Sequence, residues 1–349
     1  MTLCAFAIPG DLTTPTGGYV YARKILPLLA ERLRIEVCQL PPGFPLASEA
    51  ELEEAAAALA ALDNGTVFFI DGLAYGALPA STLESLKGPI VALVHHPLGL
   101  EEGLSPSEKA HLLKTEEEAL ASAEHIVAPS HGTARELTRL FSVPARKITV
   151  AEPGILRGKR AQGAPAGESP HIVSVGTMTP RKGYGVLIDA LNVVRDSPWR
   201  ATIAGSLDRS PETTALVRRK LTEYGLEERV RLAGQFDEAT LSSLYSSADI
   251  FALASFYEGY GMAFAEAMAH GLPVVASGEG AVRDTVPISA GFVCAAGDRA
   301  AFAEALRVLL SNAALRREKA EGAWRHGRTL PDWACTANTI AHILKQAAR

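Results

Sequence analysis

The chain has 349 residues, 48% hydrophobic and 21% charged, with a formal net charge of −5. That length suits two domains of ordinary size with substantial cores. No basic excess exists to offset phosphates, which argues against a nucleic-acid partner, and no apolar run approaches the ~20 residues of a membrane-spanning helix.

Short apolar runs alternate with helix-length amphipathic segments from the start. The first half predicts strands at 3–8, 35–38, 67–70, 90–94, 125–128 and 148–150, with helices at 19–34, 49–62, 107–123 and 133–141. This alternation implies βαβ units and a parallel sheet covered on both faces. The run 3–8 is too short for the apolar core of a signal peptide. Cys4, Cys38, Cys294 and Cys335 are far apart and form no C-x-x-C pair. They read as small apolar residues in a reduced, cytoplasmic setting, and neither Cys nor His spacing offers a metal site.

Thr16, Gly17 and Gly18 follow the first strand and open a helix, so backbone can approach a ligand closely there. His95 and His96 follow the buried strand 90–94, where a strand's carboxyl end is a productive place for an imidazole. Ser130 reads as a helix N-cap rather than a nucleophile.

The stretch 156–170 is rich in Gly, Ala, Pro and charge and reads as an interdomain linker. Strands are then predicted at 172–175, 201–204, 230–232, 250–253, 274–276 and 292–294. Helices fit at 184–195, 212–224, 238–246, 262–270 and 299–310, and a last one at 334–348. The expected architecture is α/β, with Rossmann-like doubly wound domains over 1–155 and 171–330 facing each other across a cleft. The tail 331–349 is expected to pack back toward the first domain.

Residues 249–277 carry the densest chemistry. A buried strand runs into the turn 255–261, and a helix follows that ends at Gly271. Gly259 and Gly261 allow close backbone approach at a helix start, where unpaired N–H groups and the positive helix end favour phosphate. Glu258 and Glu266, with seven residues between them, frame this turn. Glu266 can reach back toward a ribose diol, while Glu258 would face the transferred sugar. Arg181 and Lys182 lie in or just before the first turn of the next helical pattern, where cations oppose the macrodipole. A bridging diphosphate removes that conflict.

The string EGYGMAFAEAMAHGLPVVAS at 258–277 resembles the Glu-x7-Glu motif of the retaining GT-B glycosyltransferases of family 4. The resemblance covers nearly the whole chain, strongest over 171–295. It implies a retaining transferase, in all expectation a hexosyltransferase, moving sugar from a UDP- or GDP-type donor to a small-molecule, glycan or lipid-linked hydroxyl acceptor. No carboxylate is placed as a covalent nucleophile, so front-face displacement without metal or other cofactor is expected; the expected setting is the cytoplasm, with peripheral contact at the inner membrane face left open. Carried onto this chain, the catalytic group is His95, Glu258, Lys182 and Arg181. The donor-binding group is Gly17, Gly18, Gly205, Gly234, Phe236, Gly259, Tyr260, Gly261, Met262 and Glu266. Many family members have Arg directly after the strand's glycine, where this chain has Thr177, and Arg181 is expected to take that second charge. The acid that usually follows the histidine is replaced by His96. The segment 98–107 is assigned to an acceptor pocket, and the turn 278–280 to the donor's underside.

Three other readings remain at this stage. A nicotinamide-dependent oxidoreductase is suggested by Gly259-Tyr260-Gly261 with Glu279 twenty residues beyond Gly259. Against it, Glu258 would adjoin a pyrophosphate and Phe264 replaces the third glycine. A nucleotide-sugar epimerase of the same scaffold and a non-catalytic sugar-nucleotide-binding subunit are the others.

Overall fold

The computed structural model describes residues 3–62, 65–101, 103–165 and 167–349. Asp63, Asn64, Glu102 (within the expected acceptor segment) and Ala166 (within the expected linker) lie outside the described residues, as do Met1 and Thr2. The chain forms two compact units: one of Met1–Gly154 with Pro331–Arg349, the other of Ile155–Leu330.

The first unit runs β1 (Leu3–Pro9), α1 (Gly17–Ala30), β2 (Arg34–Leu40), α2 (Glu49–Ala60), β3 (Val67–Asp71), α3 (Gly72–Tyr75), α4 (Ala80–Ser85), β4 (Ile90–Leu93), α5 (Pro106–Ala121), β5 (His125–Ala128), α6 (His131–Phe141) and β6 (Ile148–Val150). Its sheet has the order β2-β1-β3-β4-β5-β6 and is parallel throughout. β3, Val-Phe-Phe-Ile-Asp, is buried along its whole length, as a central parallel strand covered on both faces must be. Local signals fix the helix starts. Ser48 with Glu51 and Ser105 with Glu108 form capping boxes, Pro106 occupies the first turn of α5, and Ser130 caps α6 by accepting from Thr133 N at 2.9 Å.

The second unit runs β7 (His171–Val175), a 3₁₀ turn (Pro180–Lys182), α7 (Tyr184–Val193), β8 (Arg200–Ala204), α8 (Pro211–Tyr224), β9 (Val230–Gly234), α9 (Glu238–Ser246) and β10 (Ile250–Leu253). It continues through β11 (Tyr257–Glu258), α10 (Met262–Ala269), β12 (Val274–Ser277), β13 (Glu279–Gly280), α11 (Val282–Thr285), β14 (Gly291–Cys294), α12 (Arg299–Ser311) and α13 (Ala313–Gly327). Its parallel sheet has the order β14-β12-β10-β7-β8-β9. The first strand of the unit therefore lies beside the fourth, which places a topological switch point between β7 and β10. After Pro331 the chain returns to the first unit as α14 (Trp333–Ala347), which packs on α1.

Several features depart from the sequence reading. The first part of the expected linker, 156–165, belongs to the second unit: Ala161 N donates to His270 O at 2.8 Å, Gln162 N to Ser246 O at 2.9 Å, and Arg160 pairs with Glu321 at 2.6 Å. Within the expected turn 278–280, Glu279–Gly280 form a short strand, β13, paired in parallel with β11. α13 has no counterpart among the expected helices. It buries Ala323 and Gly327 rather than an apolar stripe, and a Cβ on Gly327 would come within 2.4 Å of Met268 O.

Candidate functional site

The sequence-predicted residues fall into two groups, one in each unit. In the second unit Arg181, Lys182 and Glu258 gather at the switch point. The 3₁₀ turn after β7 carries Arg181 and Lys182, the loop after β10 carries Ser255, and β11 ends on Glu258. The two loops are joined by a backbone bond from Phe256 N to Arg181 O, 2.8 Å. Gly183 makes this approach feasible. Its φ is +60°, and a Cβ there would stand 1.9 Å from Ala254 O, so a side chain is excluded by both conformation and space.

Glu258 is 5% exposed and surrounded by donors. Lys182 Nζ donates to Oε1 at 2.6 Å, Ser255 Oγ donates to the same oxygen at 2.6 Å, and Arg181 NH1 reaches Oε2 at 3.2 Å. Arg181 NH1 also donates to Tyr257 O at 2.7 Å. Burial alone would push this carboxyl's pKa up, but Lys182, then Arg181, and the hydrogen bonds from Lys182 and Ser255 outweigh it and hold it at about 2. The sequence reading set Glu258 on the loop, facing the transferred sugar. In the structure it is the counter-ion of both cations. Arg181 does stand beside Lys182, whereas Thr177 lies in the loop leading to them.

The remaining candidates of the second unit lie on other elements of it. A Cβ on Gly205 would meet Gly176 O at 1.9 Å, and Gly205 N donates to Gly234 O at 2.8 Å, so Gly176, Gly205 and Gly234 form the close-packed carboxyl ends of β7, β8 and β9. Phe236 is half-buried in the loop beyond β9, and Gly259 is half-buried after β11. Gly261, at φ +91°, precedes α10, which has no side-chain cap at its first turn. Tyr260 packs its side chain into an apolar cluster with Ile155, Ala265 and Ala269, against which Met262 also rests. Their side chains therefore serve packing first. Glu266, half-exposed on α10, accepts a hydrogen bond from Tyr245 Oη at 2.9 Å.

In the first unit, Gly18 and His95 come together: a Cβ on Gly18 would lie 3.1 Å from His95 Cδ2, whereas one on Gly17 would meet nothing within 4 Å. His95 Nε2 stands 3.3 Å from Asp71 Oδ2, an ion-pair separation without a well-aligned hydrogen bond, while Asp71 Oδ1 accepts from Leu73 N at 3.0 Å. The Tyr21 ring meets His95 edge-on at 5.3 Å between centroids. His96 turns to Glu101, 3.0 Å away. Beneath this loop, buried Glu116 accepts from Leu98 N at 2.8 Å, and burial raises its carboxyl to about 8, against the lowering effect of that bond. Asp71 and His95 stand at the carboxyl ends of β3 and β4, and Gly18 opens the helix that follows β1, so the switch point between β1 and β3 is again populated.

Sequence reasoning missed Asp71, Glu116, Tyr245 and Ser255. Asp71 had a signal, an acid ending a wholly apolar strand. Glu116 and Tyr245 sit in amphipathic helices among ordinary core positions and had none. Among the described residues no group of three His, Cys, Asp or Glu side chains is arranged to hold a metal ion, and no helix is long and apolar enough to cross a membrane.

Comparison with known proteins bears on the family and the fold. The family model "Glycosyl transferases group 1" matches residues 169–312, and "Glycosyltransferase Family 4" matches residues 21–156. The D-inositol 3-phosphate glycosyltransferase of Thermomonospora curvata is 30% identical over 268 residues, covering 70% of this chain and 62% of that protein. The enzyme of the same name from Kineococcus radiotolerans is 28% identical over 281 residues, covering 72% and 63%. The chain thus spans a little over three fifths of the length of these relatives. Among solved structures, sucrose-phosphate synthase from Thermosynechococcus elongatus superposes with a TM-score of 0.81 at 18% identity, covering 99% of both chains. HepE from Anabaena, in complex with UDP-glucose, gives 0.76 at 19% identity, covering 98% of this chain and 99% of that one. The chain belongs to the family 4 glycosyltransferases and has the GT-B fold.

Proposed function

We propose that this protein transfers a sugar from a UDP- or GDP-type nucleotide-diphosphate donor to a hydroxyl acceptor, with retention at the anomeric carbon and without a metal ion. The observation that carries the reading is the cluster of Arg181 and Lys182 around Glu258 at the switch point of the second unit, beside an α-helix start that lacks a side-chain cap. Two cations and oriented backbone amides supply the positive potential that a diphosphate requires.

In this mechanism the acceptor hydroxyl attacks the anomeric carbon on the face from which the diphosphate departs. The carbon–oxygen bond to the diphosphate breaks, and a departing phosphate oxygen takes the acceptor's proton. Lys182 and Arg181 act most strongly as negative charge grows on the leaving group, which is where stabilisation accelerates the reaction. Glu258 keeps the two cations positioned before the donor arrives. Glu266 accepts hydroxyl hydrogen bonds from the ribose. His95, backed by Asp71, is the candidate on the acceptor side.

A thermal-shift screen of UDP-, GDP- and ADP-sugars tests the donor. A ligand present at a hundred times its dissociation constant adds about 2.7 kcal/mol of stability. Turnover of the bound donor is then followed with and without acceptors. The polyol phosphate in the names of the curated relatives, D-inositol 3-phosphate, is among the first acceptors to try. No shift with any nucleotide sugar would sink the reading. Epimerised donor formed without acceptor would replace it with an epimerase, and binding without any turnover with a non-catalytic subunit.

A further inference from the structure

Tyr245 is the last but one residue of α9, a helix that carries none of the residues expected from sequence to bind the donor. Its ring is buried, stacked on His270 at 5.2 Å and 26°, and tilted against Phe251 at 6.1 Å. His270 is itself fixed. Its Nδ1 lies 2.9 Å from Lys159 O, and a Cβ on Gly158 would come within 1.9 Å of its ring, so the segment passing over it leaves no room to move. Tyr245 therefore presents its hydroxyl from a rigid seat, and that hydroxyl donates to Glu266 Oε2 at 2.9 Å.

We propose that Tyr245 is a positioning residue for the donor: it locks the carboxylate of Glu266 in the orientation that receives the ribose hydroxyls. The inference rests on the donor site proposed above. A glutamate has three rotatable bonds, and the freedom lost on fixing them is a cost of binding. A charge-assisted bond from a buried phenol removes that freedom before the nucleotide arrives. Burial, followed by the charge of Glu266, raises the Tyr245 hydroxyl well above its ordinary range, so it remains a donor across the accessible pH range. A buried tyrosine needs only some acceptor for its hydroxyl. Here the acceptor is the one carboxylate of α10 assigned to the donor.

The test compares binding of UDP and GDP with that of their 2′,3′-dideoxy counterparts, by calorimetry on the full chain, in wild type, Tyr245→Phe, Glu266→Gln and the double variant. Wild type should favour the better ribonucleotide over its dideoxy form by tenfold or more, the size of one hydrogen bond to a charged group, about 1.4 kcal/mol. Tyr245→Phe should reduce that preference at least threefold while leaving dideoxy binding within twofold. The double variant should be no worse than Glu266→Gln alone. A purely structural tyrosine would weaken both nucleotides alike, and additive losses would mean independent roles; either result overturns the proposal. Loss of preference in Glu266→Gln without loss in Tyr245→Phe also overturns it, and leaves the donor reading standing. No loss in Glu266→Gln overturns the donor reading itself. Glu266→Asp needs no change at position 245, and by drawing the carboxylate away from Tyr245 it should lose the ribose preference too; full retention would show that the tyrosine's hold is unnecessary.

Discussion

Glu258 offers a quantitative test of the charge cluster. The carboxyl has a pKa of about 2 in the folded chain, against 4.5 for an ordinary glutamate. Because the folded value is depressed, the stabilisation is fully present above pH 4.5 and is lost as pH falls from there toward 2. The gap corresponds to roughly 3 kcal/mol, of which roughly 2 kcal/mol is gone by pH 3. Glu258→Gln keeps the shape and one acceptor oxygen but cannot titrate. It should therefore be less stable than wild type at pH 7, because Lys182 and Arg181 lose their counter-ion. The deficit should shrink by roughly 2 kcal/mol on going to pH 3. Calorimetric unfolding of both proteins across this range measures the difference. Carbon NMR of the glutamate carboxyls, with Glu258 assigned by its disappearance in the variant, reads the same group directly and should show no titration above pH 3. A stability difference that does not change with pH, or a midpoint near 4.5, would refute the ion-pair cluster as drawn.

Lys182→Ala should lower kcat by about 10²–10³ while weakening donor binding less, since charge on the leaving diphosphate peaks in the transition state. Equal losses in both would reduce Lys182 to ground-state binding. Activity should survive EDTA, and an α-linked donor should give an α-linked product by NMR. Loss in EDTA restored by magnesium or manganese would contradict the assignment of Arg181 and Lys182 as the diphosphate's counter-charge, and an inverted product would sink the retaining mechanism. Glu116 has the opposite linkage. Its folded value of about 8 exceeds 4.5, so stability falls as pH rises between those values. Glu116→Gln, whose amide oxygen can still accept from Leu98 N, should match wild type near pH 4 and exceed it at pH 8.5 by roughly 4–5 kcal/mol. Parallel melting curves would refute the buried, protonated carboxyl.

The sequence by itself determined the layers of this protein. Strand-length apolar runs alternating with helical periods identified all twelve strands of the two large sheets, within a few residues at their ends. That follows because buried parallel strands and one-sided helices leave different hydrophobic spacings in the chain. The residue types around Glu258, Glu266, Arg181 and Lys182 were also legible, because glycines at a helix start and cations at a helix N-terminus are locally anomalous.

Tertiary structure decided everything that depends on distant partners. α13 escaped notice because it docks through Ala323 and Gly327, and small residues in a charged sequence leave no apolar stripe. The short pairing of β11 with β13 is fixed by the loops that carry it, and two residues carry no periodicity. Strand order, and with it both switch points, follows from how crossovers pack. Glu258 read from the sequence as a loop acid facing a sugar, and its pairing at 2.6 Å with Lys182, 76 residues away, is a product of the fold. Tyr245 and Glu266 lie 21 residues apart on different helices, and Asp71 and His95 end neighbouring strands. A side chain's environment is set by elements that meet only when the chain folds, so burial, charge pairing and pKa at this site could be read only after the strands had taken their order.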